Sequence, residues 1–435
     1  MRSLPTAVDS PPARALAGDG AVWWLLAYVA LLPLPGPAEV VLAAGAIFAV
    51  VRLLQLRGQG GIAPLLTPEA WGLTCLLFLA YWLPQVVAAV DALDPGKALG
   101  KAAGALRYLP FMWLVAIAVA TQARRRRVFA GLAALGIVWA LDALLQALLG
   151  SSALFWSLDQ LRLALTGTPL CPVQEISAAG RLNGVFGACN PKLGQVLAVL
   201  SPFVLFMAGK RLLLWCVLAA LCGVAVLLAG ARAAWLSYAL VLLLSGWAVF
   251  GRATVLALGL GAATLLLAAA MLVPGIQQRV QDTAGLLSGQ AQATDAALAG
   301  RARIWAGALC MVGEHPLNGV GVRGFRHAWA ACDPAPQVAP AWGEGPALHA
   351  HQLVLEIAAE TGLLGLLLWL AGAVLAVRAW CYASGAARQR ALPAAIAIGV
   401  AVFPFNTHLA VYSAFWGGIT LMLAALYVGA LQARD

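Results

Sequence analysis

Residues His349–Val377 read HAHQLVLEIAAETGLLGLLLWLAGAVLAV. Two histidines stand at the front, and an apolar run long enough to cross a bilayer follows within a few residues. A bilayer core takes about 20 apolar residues per helix. The stretch therefore predicts a membrane span over about 352–377, with His349 and His351 at its mouth and Glu356 and Glu360 in its first turns. The same pattern recurs along the chain. The 435 residues are 63% apolar and 10% charged, against about 25% charged in an ordinary soluble domain.

Twelve apolar stretches are long enough to count as spans: about 21–36, 38–54, 69–91, 105–122, 128–149, 192–209, 211–229, 233–250, 253–273, 352–377, 391–406 and 411–431. The chain reads as an all-α polytopic membrane protein. Residues 1–20, with Pro5, Pro11 and Pro12, read as a polar, disordered tail. Residues 21–273 hold spans one to nine, 274–350 form a large loop, and 351–435 hold spans ten to twelve.

Orientation follows from basic loops, which stay on the cytoplasmic side. ARRRR ends at Arg127, GKR covers Gly209–Arg211, and Arg252, Arg378, Arg388 and Arg390 fall on that same side with both termini. The net charge of +10 is thus mostly topogenic, and it gives no sign of nucleic acid as a partner. The opposite, outer face owns 150–191 and 274–350, and all five histidines lie on or near it. Chemistry is expected there.

Positive charge on the outer side opposes the insertion rule, so each case needs a reason. Lys97, Lys101 and Arg107 lie in or beside DPGKALGKAAGALR; the two lysines are four apart and would share a helix face. Arg162, Arg181 and Lys192 flank the next outer segment, and Arg232 stands at the mouth of span eight. Arg301 and Arg303 open GRARIWAGALCMVGEHPL, where Ile304, Trp305, Ala308, Leu309 and Val312 recur at helical spacing. That pattern predicts an amphipathic helix at the outer membrane surface. Arginines bind phosphate in a bidentate fork and keep their charge at any working pH. For Arg303, Arg323 and Arg326, a lipid phosphate or an outer acid is the simpler partner, although Arg303 stays among the candidate substrate contacts.

Three readings of His349 and His351 stand side by side: a cap or solvated pair, a metal pair with His327 or Glu356, and a general base. The glycines of NGVGVRGF (Asn318–Phe325) do not sit in the strand–turn–helix unit that a dinucleotide loop needs. The outer acids Asp282, Asp295, Glu314, Asp333 and Glu344 are scattered singly, with no paired carboxylates to hold magnesium. Cys75, Cys216 and Cys222 fall within spans and Cys381 faces inside, while Cys171, Cys189, Cys310 and Cys332 belong to outer segments. Spacing leaves open whether Cys171 pairs with Cys189, or Cys310 with Cys332.

Four motifs carry a family resemblance. His351-Gln352, nine residues, then GLLG (Gly362–Gly365) resembles the signature of bacterial O-antigen ligases. GRARIW followed by EHPLNGVGVRGF resembles the outer-loop helix of the wider O-antigen ligase and polymerase superfamily. RAAWL from Arg232 resembles its Ser-Arg-x-x-x-Leu segment, with Ala231 where Ser is usual. Leu366 follows Gly365 where the family often has Thr or Val.

The resemblance implies about twelve membrane helices in a GT-C-like arrangement, with a large periplasmic loop containing amphipathic helices. It implies a metal-independent, inverting glycosyltransferase of the inner membrane, without cofactor, that moves O-antigen from undecaprenyl pyrophosphate to lipid A–core. His351 matches the essential histidine, and Arg232 and Arg301 the essential arginines. His349, Lys97, Lys101, Arg107, Arg162, Arg181, Arg303 and Glu356 are then candidate substrate contacts, with Glu356 placed to orient His351. Membrane lipids surround all of them. O-antigen polymerase and protein O-oligosaccharyltransferase are the related alternatives. A transporter of lipid-linked sugars is the alternative of another class, and Asp142 is the clear acid inside a span that it would need.

Overall fold

Side-chain caps set six of the described helix starts. The computed structural model describes residues 19–58, 65–172, 181–272, 300–340, 342–343, 345–404, 406 and 410–434. Thr67 accepts from the Ala70 amide at 3.1 Å and Pro68 follows it, so α3 (Pro68–Ala89) begins there. Asp94 and Pro95 do the same for α4 (Pro95–Ala105). Ser152, Gln352, Ser384 and Ser413 cap α7 (Ala153–Thr166), α14 (Leu353–Tyr382), α15 (Gly385–Ala401) and α16 (Ala414–Leu431).

The remaining helices are α1 (Gly20–Ala30), α2 (Pro35–Gly58), α5 (Tyr108–Val119), α6 (Gln122–Leu149), α8 (Leu193–Met207), α9 (Leu212–Leu228), α10 (Arg232–Phe250), α11 (Arg252–Leu272), α12 (Arg301–Glu314) and α13 (Phe325–Cys332). Among the described residues there is no strand. Among the described residues, seven helical stretches are long and apolar enough to cross a membrane: α2, α3, Pro95–Val119, α6, α10, α14 and α16. The chain is a polytopic α-helical membrane protein. Each of the twelve apolar stretches carries a helix, but α1, α8, α9 and α15 are only 11, 15, 17 and 17 residues long, and in α11 the apolar stretch is the shorter Arg252–Gly261.

A helix apolar on every side belongs inside a bundle. α5, α8 and α16 are such helices; in α16 every residue from Trp416 to Leu431 is buried. Small residues make the close packing possible. A side chain at Gly418 would run into the Tyr28 hydroxyl, one at Gly417 into that of Tyr81, and one at Gly429 into the Ala116 backbone. α11 instead exposes Leu256, Leu260, Leu267 and Met271.

Four differences from the sequence expectation matter for the site. The span expected over 105–122 is the 12-residue α5, and a separate helix before it, α4, carries Lys97 and Lys101, with a break at Leu106 and Arg107. The span from residue 352 is interrupted at Gly362 (φ 67°, ψ −171°). The expected amphipathic helix is α12, but it packs Ile304, Ala308 and Met311 into a second, smaller core with Val320, Phe325, Trp329 and Ala350. Leu309, expected on that apolar face, is 61% exposed. Asp142 is buried near the end of α6, where it accepts from the Ser152 hydroxyl (2.6 Å) and the Leu154 amide (3.1 Å). It braces the turn into α7, so it is not the membrane charge that a transporter reading wanted. The tail to residue 18, Asp282, Asp295, Glu344, His408 and residues 273–299 of the expected loop lie outside the described residues.

Candidate functional site

Two residues apart from glycine hold a positive φ among the described residues, and His351 is one (φ 53°). The left-handed region costs a residue with a side chain on the order of 1 kcal/mol and marks backbone held by its surroundings. Three contacts hold it. The Trp305 indole on α12 donates to the Ala350 carbonyl at 3.1 Å. Gln352 accepts from the Leu355 amide with one end of its side chain and donates to the Pro404 carbonyl (2.8 Å) with the other. The rings of His349 and His351 lie 3.8 Å apart between centroids. Both histidines are half-buried at the mouth of α14.

The arginines arrive from three elements. Arg232 is the first residue of α10, and Arg301 the first of α12. The Leu182 amide donates to the Leu228 carbonyl at 3.3 Å, which sets Arg181 beside the turn that leads to Arg232. Burial, then the charges of Arg232 and Arg181, hold the Arg301 guanidinium below its ordinary value. Arg301 and Trp305 are four apart and share a helix face, so the cation cluster joins the histidine turn through α12. Arg232 and Arg181 thus both act on Arg301 as like charges, an arrangement that suits an anion.

The glycine motifs are structural, and they interlock. At Gly362 the helix opens, and HPLNG (His315–Gly319) fills the gap. The Leu363 and Leu364 amides donate to the carbonyls of Pro316 (2.9 Å) and Leu317 (3.1 Å), while the Val320 amide donates to the Ala359 carbonyl (2.9 Å). A side chain at Gly362 would strike Leu317, and one at Gly319 would meet the backbone of Glu360 and Thr361. The Glu360 carboxylate accepts from the Arg323 amide at 3.0 Å. Both motifs are thus one device that fixes the outer loop to α14.

Other expected contacts lie elsewhere. Glu356 does not orient His351: its Oε1 accepts from the Val411 amide at 2.7 Å, because its helix face turns toward the start of α16. Arg303 closes a fork on Asp333 (2.7 and 2.6 Å) and reaches the Val338 carbonyl (2.8 Å). Arg107 pairs with Glu39 at 2.6 Å and lies over the Tyr108 ring. Arg162 is exposed on α7, a helix with no buried residue.

Lys97 and Lys101 line a separate cleft with Arg323 and Arg326, two residues for which the sequence favoured a lipid phosphate or an outer acid. No signal in the sequence links residues 97–101 to 323–326. Among the described residues, Cys310, Glu314 and Cys332 are the one trio spaced to hold a metal, and their cysteines are bridged. A second disulfide joins Cys171 and Cys189.

Residues 217–370 match the family described as O-antigen ligase. The match contains Arg232, Arg301, His351, Gly362 and Gly365, and it stops short of Arg181 and the two lysines. No curated protein matches the chain.

Proposed function

We propose that this chain, a member of the O-antigen ligase/polymerase superfamily, is the ligase: it transfers O-antigen polysaccharide from undecaprenyl pyrophosphate to a sugar hydroxyl of lipid A–core. The observation that carries the reading is the convergence of Arg181, Arg232 and Arg301 beside the histidine turn, joined through the Trp305–Ala350 bond. A pyrophosphate leaving group needs such a cluster, and a hydroxyl nucleophile needs a base within reach.

His351 takes the proton as the acceptor oxygen attacks the anomeric carbon. The bond from that carbon to the pyrophosphate oxygen breaks, and the electron pair leaves with undecaprenyl pyrophosphate. The arginines stabilise the charge that grows there. A base on one face and a leaving group on the other give inversion. The arginines also supply the positive charge that a divalent cation brings to other phosphate-leaving reactions, so the reaction runs without metal. His349 packs the catalytic ring, and Arg181 joins Arg232 and Arg301 on the pyrophosphate.

The outer side of the inner membrane, facing the periplasm, is the proposed location. Supporting it are the basic loops on the opposite side and the two disulfides in outer segments, since disulfides persist in oxidising compartments. Twelve spans, counting the shorter helices, fit this topology.

The test is purified protein with lipid-linked O-antigen and lipid A–core in excess EDTA. The expected product is O-antigen joined to lipid A–core, reduced at least about 100-fold in His351→Ala. Polymer growing only on undecaprenyl pyrophosphate would mean a polymerase, and activity restored by one added metal would end the arginine-only scheme.

A further inference from the structure

A second cationic site lies apart from the arginine cluster. The first turns of α4, the loop 320–324 and the first turn of α13 line a cleft of about 550 Å³. Lys97, Lys101, Arg323 and Arg326 line it, with His327 and Asp94. Asp94 is its single carboxylate, and it is occupied: it caps α4 and pairs with Lys97 at 2.8 Å. Lys97 holds the Asp94 carboxyl below its usual range. The walls are fixed. The Leu93 amide donates to the Val320 carbonyl at 3.3 Å, Gly321 presses on Ala92, and buried Glu360 holds the Arg323 amide. Arg323 is the second residue besides glycine with a positive φ (65°).

Arg326 points to a ligand. Its Nε and Nη2, the edge that grips a phosphate in a bidentate fork, are shielded from solvent and meet no acceptor among the described residues. Leaving a buried charged donor without an acceptor is costly. Burial, and then the Arg323 charge, push the Arg326 guanidinium below its ordinary value. An anion in the cleft relieves both.

We propose that this cleft binds a phosphate monoester on the acceptor glycolipid, a proposal that rests on the ligase reading. The leaving pyrophosphate belongs to the other cluster. Glu360, under the cleft, is seven residues along α14 from Leu353, about 10 Å at helical rise. Arg323, in the cleft wall, is thus tied to α14 about two turns past the histidine turn. A glycolipid has this layout: phosphates near the bilayer, and the reacting sugar a few units farther out. Arg326 and Arg323 hold the phosphate, and Lys97 and Lys101 close over it from α4.

The experiment is direct binding to purified protein in detergent, so it needs no turnover. Diphosphoryl lipid A is compared with its dephosphorylated form for wild type, Lys101→Glu and Arg326→Gln, and undecaprenyl pyrophosphate is titrated into the same three proteins. Lys101 is exposed on α4, so its reversal leaves the fold intact even if Arg326→Gln does not. Each variant is expected to lose about tenfold or more in affinity for diphosphoryl lipid A, the worth of one charge-assisted bond, with undecaprenyl pyrophosphate unchanged. Unchanged lipid A binding in Lys101→Glu overturns the proposal. So does equal loss for undecaprenyl pyrophosphate, which would make the cleft part of the donor site. Displacement of lipid A by equimolar inorganic phosphate or phosphatidylglycerol overturns it too. Should lipid A bind as expected while no ligation occurs under any condition, the cleft stands and the ligase reading fails.

Discussion

Arg301 and Arg303 stand two residues apart on α12, yet their surroundings are opposite. Arg301 faces Arg232 and Arg181, and their charges weigh against its own. Arg303 turns to the other side of the helix and spends its fork on Asp333, both side chains about nine-tenths buried. The same holds elsewhere: Arg107 has Glu39, and Arg390 donates to the carbonyls of Ala430, Leu431 and Ala433 at the end of α16. An arginine that meets a carboxylate or a helix end is finished as structure. One that also faces like charges, as Arg301 does, is the residue the proposed mechanism assigns to the leaving pyrophosphate.

The sharpest way to break that contrast is to exchange the two residues' fates. Arg301→Lys keeps the charge and loses the fork; turnover is expected to fall about 100-fold or more with the fold unchanged, by analogy with loss of one preorganised donor at a developing charge. Full activity in the lysine variant would reduce the cluster to bulk charge.

Arg303→Gln should do the reverse. Removing a charge-assisted fork costs about 2–3 kcal/mol, read as a lower unfolding midpoint, with turnover of the folded fraction within about threefold of wild type, a change worth under 1 kcal/mol. Loss of turnover without loss of stability would place Arg303 at the substrate after all.

The last comparison is at Gly362. Its φ and ψ (67°, −171°) lie in a region essentially reserved for glycine, and alanine there would also drive its Cβ into the backbone of Leu317 and Asn318, so the expected loss of stability is at least about 3 kcal/mol. The prediction is a lower unfolding midpoint, with activity falling in step as the histidine turn loses its anchor. A stable but inactive Gly362→Ala protein would mean that the glycine motif does chemistry rather than hold the loop.

Much of the architecture was legible in single segments. Hydropathy locates spans because the bilayer acts on each helix separately. The placement of His351 at a span mouth was legible for the same local reason, and Arg232 and Arg301 were legible through motifs.

Tertiary structure decided what depends on partners far along the chain. Asp333 is 30 residues from Arg303, and nothing in either segment reveals the fork. Glu356 seemed to serve a histidine one turn away, but its acceptor oxygen meets Val411, 55 residues on. Asp142 read as a membrane charge until Ser152 and Leu154 folded back onto it. Gly362 read as part of a family signature, but only the fold shows that the opened turn there is completed by the backbone of Pro316 and Leu317. Lys97 and Arg326 lie more than two hundred residues apart and share one cleft. In each case a polar group removed from water must find a complement, and a residue's own neighbours do not say which distant segment supplies it.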